Sequence, residues 1–315
     1  EKNGQQYRYS GRCRQRSDAR DDAPFVIRFR VEPGTIEFHD MIRGDVHFEA
    51  ELIDDFVLLR SDGHPTYHLS VVVDDIDMGI THVARGDDHL SNTPKHILLF
   101  RALGAAIPVF AHLPLILGPD KKRLSKRFGA TSVEEYRTLG ILPEALFNFL
   151  TLLGWAPGGD REVLSLDEAV AAFDLSDVNK APAVFDQEKL TWLNAQYMAK
   201  TPPERLADLV DPFLDVAVDD RKRLETLVAL YTPRSRTLRE MADQLHPYFA
   251  DDALLEYEPE AVSKHLKGAD LAARLRDVRE RLATVEPFGI AETEAALRAL
   301  AGERGIGAAK YIHPM

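Results

Sequence analysis

Two rhythms of apolar residues divide this chain, and a short cationic segment lies where the first gives way to the second. From residue 25 to 73 the apolar positions alternate or run as β-branched stretches in FVIRFRV (25–31), FEAELIDDFVLLR (48–60) and TYHLSVVVDD (66–75). Turns are marked by PGT (33–35) and SDGHP (61–65). Strands are expected there, few helices, and Asp74 and Asp75 read as the end of a buried strand. Asn92 or Thr93 with Pro94 then opens a helix, with Ile97, Leu98 and Leu103 on its apolar face and Gly104 closing it. After about residue 131 the spacing becomes helical. Pro143 precedes ALFNFLTLLGW, Ser165 to Glu168 and Thr201 to Glu204 have capping-box spacing, and PPE (202–204) marks a boundary between helical units. An α/β part followed by an all-α part is the expected architecture.

The chain has 315 residues, 45% hydrophobic and 29% charged, which is enough to bury several cores in two to four units. A single cysteine, Cys13, excludes an internal disulfide, and no stretch reaches the roughly 20 apolar residues of a spanning helix. A cytoplasmic setting without membrane contact is expected. The opening EKNGQQYRYSGRCRQR lacks the apolar segment of an export signal and reads as the middle of a longer protein. A formal charge of −12 repels phosphate, so nucleic acid can be held only where basic residues gather. They gather at Arg8, Arg12, Arg14, Arg16 and Arg20, and again at Lys121, Lys122, Arg123, Lys126 and Arg127.

The second cluster lies in LILGPDKKRLSKRFGAT (115–131), where a Gly-Pro-Asp turn delivers lysines and arginines around Ser125. Such a loop suits a polyphosphate, because ammonium groups neutralise oxygens whose charge grows as a phosphoanhydride breaks. Taken alone it reads more readily as a solvated basic patch. No convincing Ser-His-Asp or Cys-His arrangement stands out.

Arg123-Leu124-Ser125-Lys126-Arg127 resembles the KMSKS loop of the glutamyl-tRNA synthetases of class I, which commonly reads KLSKR. Upstream, HPTYHLSVVVDD (64–75), ITHVARGDDH (80–89) and SNTPKHILLFRALG (91–104) follow that family's order; LPEALFNFLTLLGW (142–155) and FDQEKLTWLN (185–194) continue it. The resemblance runs nearly end to end and weakens after about residue 240. It implies the second half of a Rossmann-type catalytic domain with a mixed α/β insertion, followed by helical domains. The implied boundaries are 1–66 for the acceptor-stem insertion, 67–105 for the catalytic half, 106–200 for a stem-contact domain and 201–315 for an anticodon-binding domain.

By position, the resemblance makes Tyr67 and Arg85 the residues that hold glutamate. Arg85 would grip a carboxylate with its planar fork and reject neutral glutamine. Read without it, Tyr67 is a packing residue and Arg85 an ion-pair partner of Asp87 or Asp88. Asp88, His89, Arg123, Ser125, Lys126 and Arg127 are implied for ATP, with Lys126 the catalytic loop lysine and Arg123 standing where the family has lysine. Lys189 and Arg234 are implied for tRNA, while Trp192 reads as core beside Leu190 and Leu193. ATP, glutamate and tRNA(Glu) are the implied substrates, with Mg²⁺ on the phosphates and a monomer as the expected state. The family's HIGH signature and a further arginine belong to an N-terminal segment that this chain does not contain, so the 315 residues alone are expected to be inactive. The family also continues beyond the closing Tyr311-Ile312-His313-Pro314-Met315. Some relatives bind zinc through CxC followed by YxxxC; Tyr9 and Cys13 have the second spacing, but any CxC would precede residue 1. Zinc is therefore expected only in a full-length protein, with no metal site in these residues. Three alternatives remain: a glutaminyl-tRNA synthetase, disfavoured by helical rather than barrel-like spacing after residue 200; a glutamyl-queuosine synthetase, which lacks such an extension; and a non-catalytic RNA-binding module.

Overall fold

The structure is a computed structural model that describes every residue except 1–8, 16–23, 125–131, 160, 252–256, 258, 269 and 313–315. It divides into two compact units, Glu1–Leu245 and His246–Met315.

The first unit opens with strands β1 (Ile27–Arg28), β2 (Thr35–Asp40), β3 (Gly44–Glu49) and β4 (Val57–Leu59). β2 and β3 form an antiparallel hairpin from Thr35↔Glu49 to Asp40↔Gly44, and β1 pairs antiparallel with β4. Gly44 takes φ +81 at the hairpin turn, a conformation that disfavours a Cβ. Helix α1 (Tyr67–Asp77), strand β5 (His82–Gly86), a 3₁₀ turn (Asp87–Asn92), helix α2 (Thr93–Ala102) and strand β6 (Val109–Leu113) follow. β6 is parallel to both β5 and β2, so the sheet order is β3-β2-β6-β5 and β5-α2-β6 is a crossover unit. Ile36 and Phe110 from the sheet, Val72 from α1, and Ile97 and Phe100 from α2 bury together as the core, each at 2% exposure or less.

The segment expected to be a strand ending at Asp74 and Asp75 is helix α1. Val72 and Ile76 recur at helical spacing with His68, which meets Phe56 edge-on at 5.7 Å. Burial of that face outweighs the weak strand preference of the Val71–Val73 run, which is worth only tenths of a kcal/mol per residue. Gly79, at φ +64, ends the helix, and Asp74 and Asp75 sit in its last turn. Helix α2 runs as expected from Thr93 with Pro94 in its first turn, but Leu103 is its C-terminal cap and is exposed.

Beyond the sheet, β7 (Ile116–Leu117) pairs in parallel with β8 (Ala183–Val184). The helices of this part are α3 (Val133–Thr138), α4 (Pro143–Gly154), α5 (Leu166–Ala172), α6 (Gln187–Lys200), α7 (Pro203–Val210), α8 (Arg221–Tyr231) and α9 (Leu238–Leu245). The Ser165–Glu168 capping box is present, and a further one joins Ser132 to Glu135. Thr201 does not form the box expected with Glu204. It belongs to the end of α6, where its hydroxyl donates to the Tyr197 carbonyl at 2.8 Å, and Pro202 and Pro203 open α7 with no N–H of their own to cap. Trp192 is 43% exposed, contrary to the core reading, because Leu190, Leu193, Asn194 and Met198 define the buried face of α6 and Trp192 points away from it.

The second unit comprises α10 (Pro259–His265), α11 (Leu271–Leu282), α12 (Ile290–Arg304) and α13 (Ala309–Ile312), closed over Val278, Leu300, Ala301 and Tyr311. Among the described residues no helix is long and apolar enough to cross a membrane.

Candidate active site at the parallel strand ends

Three neighbouring parallel strands finish side by side, and each places one polar residue at its C-terminal end: Asp40 on β2, His112 on β6 and Arg85 on β5. The carboxyl ends of a parallel sheet are where ligands of α/β folds bind, because the strands diverge into loops there and leave a crevice. Asp40 and His112 are fully buried. Asp40 Oδ1 accepts the backbone N–H groups of Ile42 at 3.0 Å, Arg43 at 2.8 Å and His112 at 3.2 Å, while Oδ2 lies 2.6 Å from His112 Nδ1. Burial pushes the Asp40 carboxyl up, but these hydrogen bonds prevail and hold it below the usual carboxylate range. His112 is shifted down, its burial outweighing the Asp40 carboxylate, so its ring is neutral with the proton on Nδ1.

Arg85 is partly buried and surrounded by neutral acceptors. Its Nε donates to His112 Nε2 at 3.2 Å, and Nη2 donates to Thr93 Oγ1 at 2.8 Å and to the His89 carbonyl at 3.3 Å. Nη1 lies 3.4 Å from His96 Nδ1. Burial lowers its pKa, with the Tyr67 hydroxyl and Asp75 acting in the opposite direction. Among the described residues no carboxylate makes an ion pair with it; Asp87 is held by Arg43 at 2.8 Å and Asp88 by Arg123 at 2.9 Å. The ion pair with Asp87 or Asp88 expected of Arg85 when it is read without the resemblance does not form among the described residues. A guanidinium that has lost part of its water and met no anion is arranged to bind one.

Tyr67 begins α1, half exposed, its ring 5.9 Å from that of His96 and 6.2 Å from that of His89. His96 Nε2 is 3.2 Å from His68 Nδ1. Burial, reinforced by Arg85 and Lys95, holds His68 at about 4 and His96 at about 3, so both rings are neutral at physiological pH and add no cation to compete with Arg85.

The basic loop begins with a tight turn, in which Gly118 N–H donates to the Lys122 carbonyl at 2.7 Å and Lys121 takes φ +59. That turn delivers Arg123 to Asp88, linking two of the residues expected at ATP. Ser125, Lys126 and Arg127 lie outside the described residues. The two residues expected at tRNA sit on the helical part: Lys189 on α6 pairs with Glu162 at 2.7 Å, and Arg234 ends an exposed 3₁₀ turn, Thr232–Arg234. Cys13 is exposed, its N–H donating to the Tyr9 hydroxyl at 2.8 Å. Among the described residues no group of three or more His, Cys, Asp or Glu side chains is placed to hold a metal.

Sequence reading singled out Tyr67, Arg85, Asp88 and Arg123 for the site and passed over Asp40, Thr93, His96 and His112, which the structure gathers around Arg85. The available signal was three histidines set in apolar surroundings, in TYHLS, PKHIL and FAHLP.

Residues 1–192 match the family described as tRNA synthetases class I (E and Q), catalytic domain, and residues 205–315 match an anticodon binding domain. The glutamate–tRNA ligase 2 of Koribacter versatilis is 46% identical over 98% of this chain and 67% of its own length. The glutamate–tRNA ligase of Syntrophobacter fumaroxidans is 44% identical over 99% and 66%. A crystal structure of a glutamate tRNA ligase from Elizabethkingia meningosepticum, in complex with its amino acid, superposes with a TM-score of 0.79 at 31% identity, covering 98% of this chain and 67% of that one. The chain thus spans about two-thirds of the length of these relatives. With a catalytic-domain match over its first 192 residues and close relatives along nearly all of it, the chain belongs to the glutamyl-tRNA synthetase family of class I.

Proposed function

We propose that the full-length protein loads glutamate onto tRNA(Glu) in two steps, and that this chain supplies the glutamate-binding side of the site. In the first, the α-carboxylate of glutamate attacks the α-phosphorus of ATP and pyrophosphate leaves. In the second, a hydroxyl of the terminal ribose of tRNA takes the acyl group and AMP leaves. Neither step requires a covalent protein intermediate; both depend on holding the reactants in line and offsetting phosphate charge.

The observation that carries this reading is Arg85, a partly buried cation at the strand ends that makes no ion pair with a carboxylate among the described residues. Its Nε, its Nη2 and one N–H of Nη1 already face His112, Thr93, the His89 carbonyl and His96, so the glutamate side-chain carboxylate would meet the guanidinium at its Nη1 edge, with Tyr67 orienting the amino-acid head. Glutamine offers an amide that leaves the buried charge uncompensated, which rejects it by the cost of an unpaired ion. Asp88 and His89 would meet the adenosine end of ATP. Arg123 would leave Asp88 for the phosphates, together with Ser125, Lys126 and Arg127, with Lys126 opposite the charge that develops on pyrophosphate. Mg²⁺ would accompany the nucleotide on its phosphates, where it would help neutralise their charge. Residues 1–66 would meet the acceptor end of the tRNA, 67–105 hold glutamate and adenosine, 106–200 contact the stem, and 201–315 the anticodon, with Lys189 and Arg234 as contacts. A cytoplasmic location fits this role.

Arg85→Ala in the full-length protein is expected to raise the glutamate KM about 100-fold in tRNA-dependent ATP–pyrophosphate exchange, the scale of a lost charge-assisted pair. An unchanged KM would remove Arg85 from the pocket. Lys126→Ala is expected to lower kcat instead.

A further inference from the structure

We propose that Asp40 and His112 are positioning residues for Arg85: the carboxylate at the end of β2 locks the tautomer of the His112 ring, whose remaining lone pair orients the guanidinium toward the substrate carboxylate. The inference rests on the glutamate-binding reading of Arg85 given above.

Two independent constraints fix the ring. An ionised carboxylate only accepts, so Nδ1, 2.6 Å from Asp40 Oδ2, carries the proton. A guanidinium only donates, so Nε2, 3.2 Å from Arg85 Nε, carries the lone pair. The two requirements agree on a single neutral tautomer. Asp40 is itself held by three backbone N–H groups on Oδ1, leaving Oδ2 aimed at the ring. Thr93 Oγ1, 3.0 Å from His112 Nε2 and 2.8 Å from Arg85 Nη2, closes the triangle. The buried carboxylate thereby fixes the arginine's geometry without touching it. A directly contacting carboxylate would orient Arg85 equally well, but would also satisfy the charge meant for the substrate.

The chain of donors and acceptors makes Asp40→Asn informative although it is nearly isosteric. The three backbone N–H groups still need an acceptor at Oδ1, so the amide nitrogen turns toward His112 Nδ1 and donates to it. The ring proton must then move to Nε2, where it opposes the Arg85 Nε–H, and the guanidinium swings away.

The test uses full-length protein and aminoacylation with ATP and tRNA saturating. Asp40→Asn is expected to raise the glutamate KM at least about tenfold, with the ATP KM within about twofold and kcat within about threefold of the parent. His112→Gln, whose amide oxygen can replace Nε2 as acceptor, is expected to raise the glutamate KM several-fold less than His112→Leu. Nitrogen-detected NMR of the His112 ring should read Nδ1–H in the parent and Nε2–H in Asp40→Asn. A folded Asp40→Asn protein with the parental glutamate KM, or with glutamate KM, ATP KM and kcat all impaired alike, overturns the proposal. If Asp40→Asn does not fold, equal glutamate KM values for His112→Gln and His112→Leu overturn it. Arg85→Ala separates the two levels: no effect there removes the glutamate reading itself, whereas a large effect there beside a silent Asp40→Asn removes only the positioning role.

Discussion

His68 and His96 meet ring to ring beside Arg85, and the cost of protonating them makes this cluster sensitive to acid. Their folded pKa values of about 4 and about 3 lie below the ordinary 6.5. Between those limits the unfolded chain binds more protons than the folded one, so stability is fully present above pH 6.5 and declines as pH falls toward 3. For His96, which is 2% exposed, the loss between pH 7 and pH 4 amounts to about 3 kcal/mol. Urea unfolding should accordingly show His96→Asn losing less stability than the parent over that interval, by an amount of that order. The same pH dependence in both proteins would remove His96 as the cause. Charged residues nearby behave differently: Asp88 with Arg123 and Asp87 with Arg43 are partly exposed pairs, each worth about 1 kcal/mol or less, and can be exchanged for substrate contacts at little cost.

Among the elements, the join between α4, α6 and α9 is the most constrained by backbone geometry. Gly140 has φ +78, and a Cβ there would lie 2.5 Å from the Arg239 amide nitrogen and 2.7 Å from that of Leu238. Its carbonyl accepts the Leu238 N–H at 3.0 Å. The buried Asn194 of α6 ties the same place together, accepting from Leu142 N–H at 2.8 Å and donating to the Arg236 carbonyl at 2.6 Å. Gly140→Ala combines left-handed strain with a backbone clash and is expected to lower the unfolding free energy by about 3 kcal/mol, read from the urea midpoint at unchanged slope. A change below about 0.5 kcal/mol would mean that α9 can move away freely. Sequence patterns rendered the start of α2, α4 and the cap of α5 correctly, because periodicity and caps act within a few residues. They misread α1, where the apolar run 71–73 satisfies strand and helix alike and only packing against Phe56 and Phe110 selects between them.

At the scale of the molecule, the charge of −12 means that RNA must be held by a few local cations against a repulsive background. Arg234, at the exposed end of its 3₁₀ turn, is one candidate, whereas Lys189 must first leave Glu162. Arg234→Ala is expected to weaken tRNA binding about tenfold. If Arg234 reads a base, the dependence of affinity on salt stays parallel to that of the parent; if it meets a phosphate, the slope of log K against log salt falls by about 0.7 to 1. Parental affinity would exclude both roles.

Local order was legible from the chain itself: an α/β segment, a cationic loop and a helical remainder, while Tyr67, Arg85, Asp88 and Arg123 were singled out through the family resemblance that their neighbours in sequence carry. What the chain could not reveal was the company Arg85 keeps. Asp40 and His112 are 72 positions apart and meet because β2 and β6 are adjacent and parallel. Periodicity reports which face of an element is buried; the order of strands in a sheet is settled by contacts among residues far apart, whose loop-closure cost and packing gain are felt only once the whole core assembles.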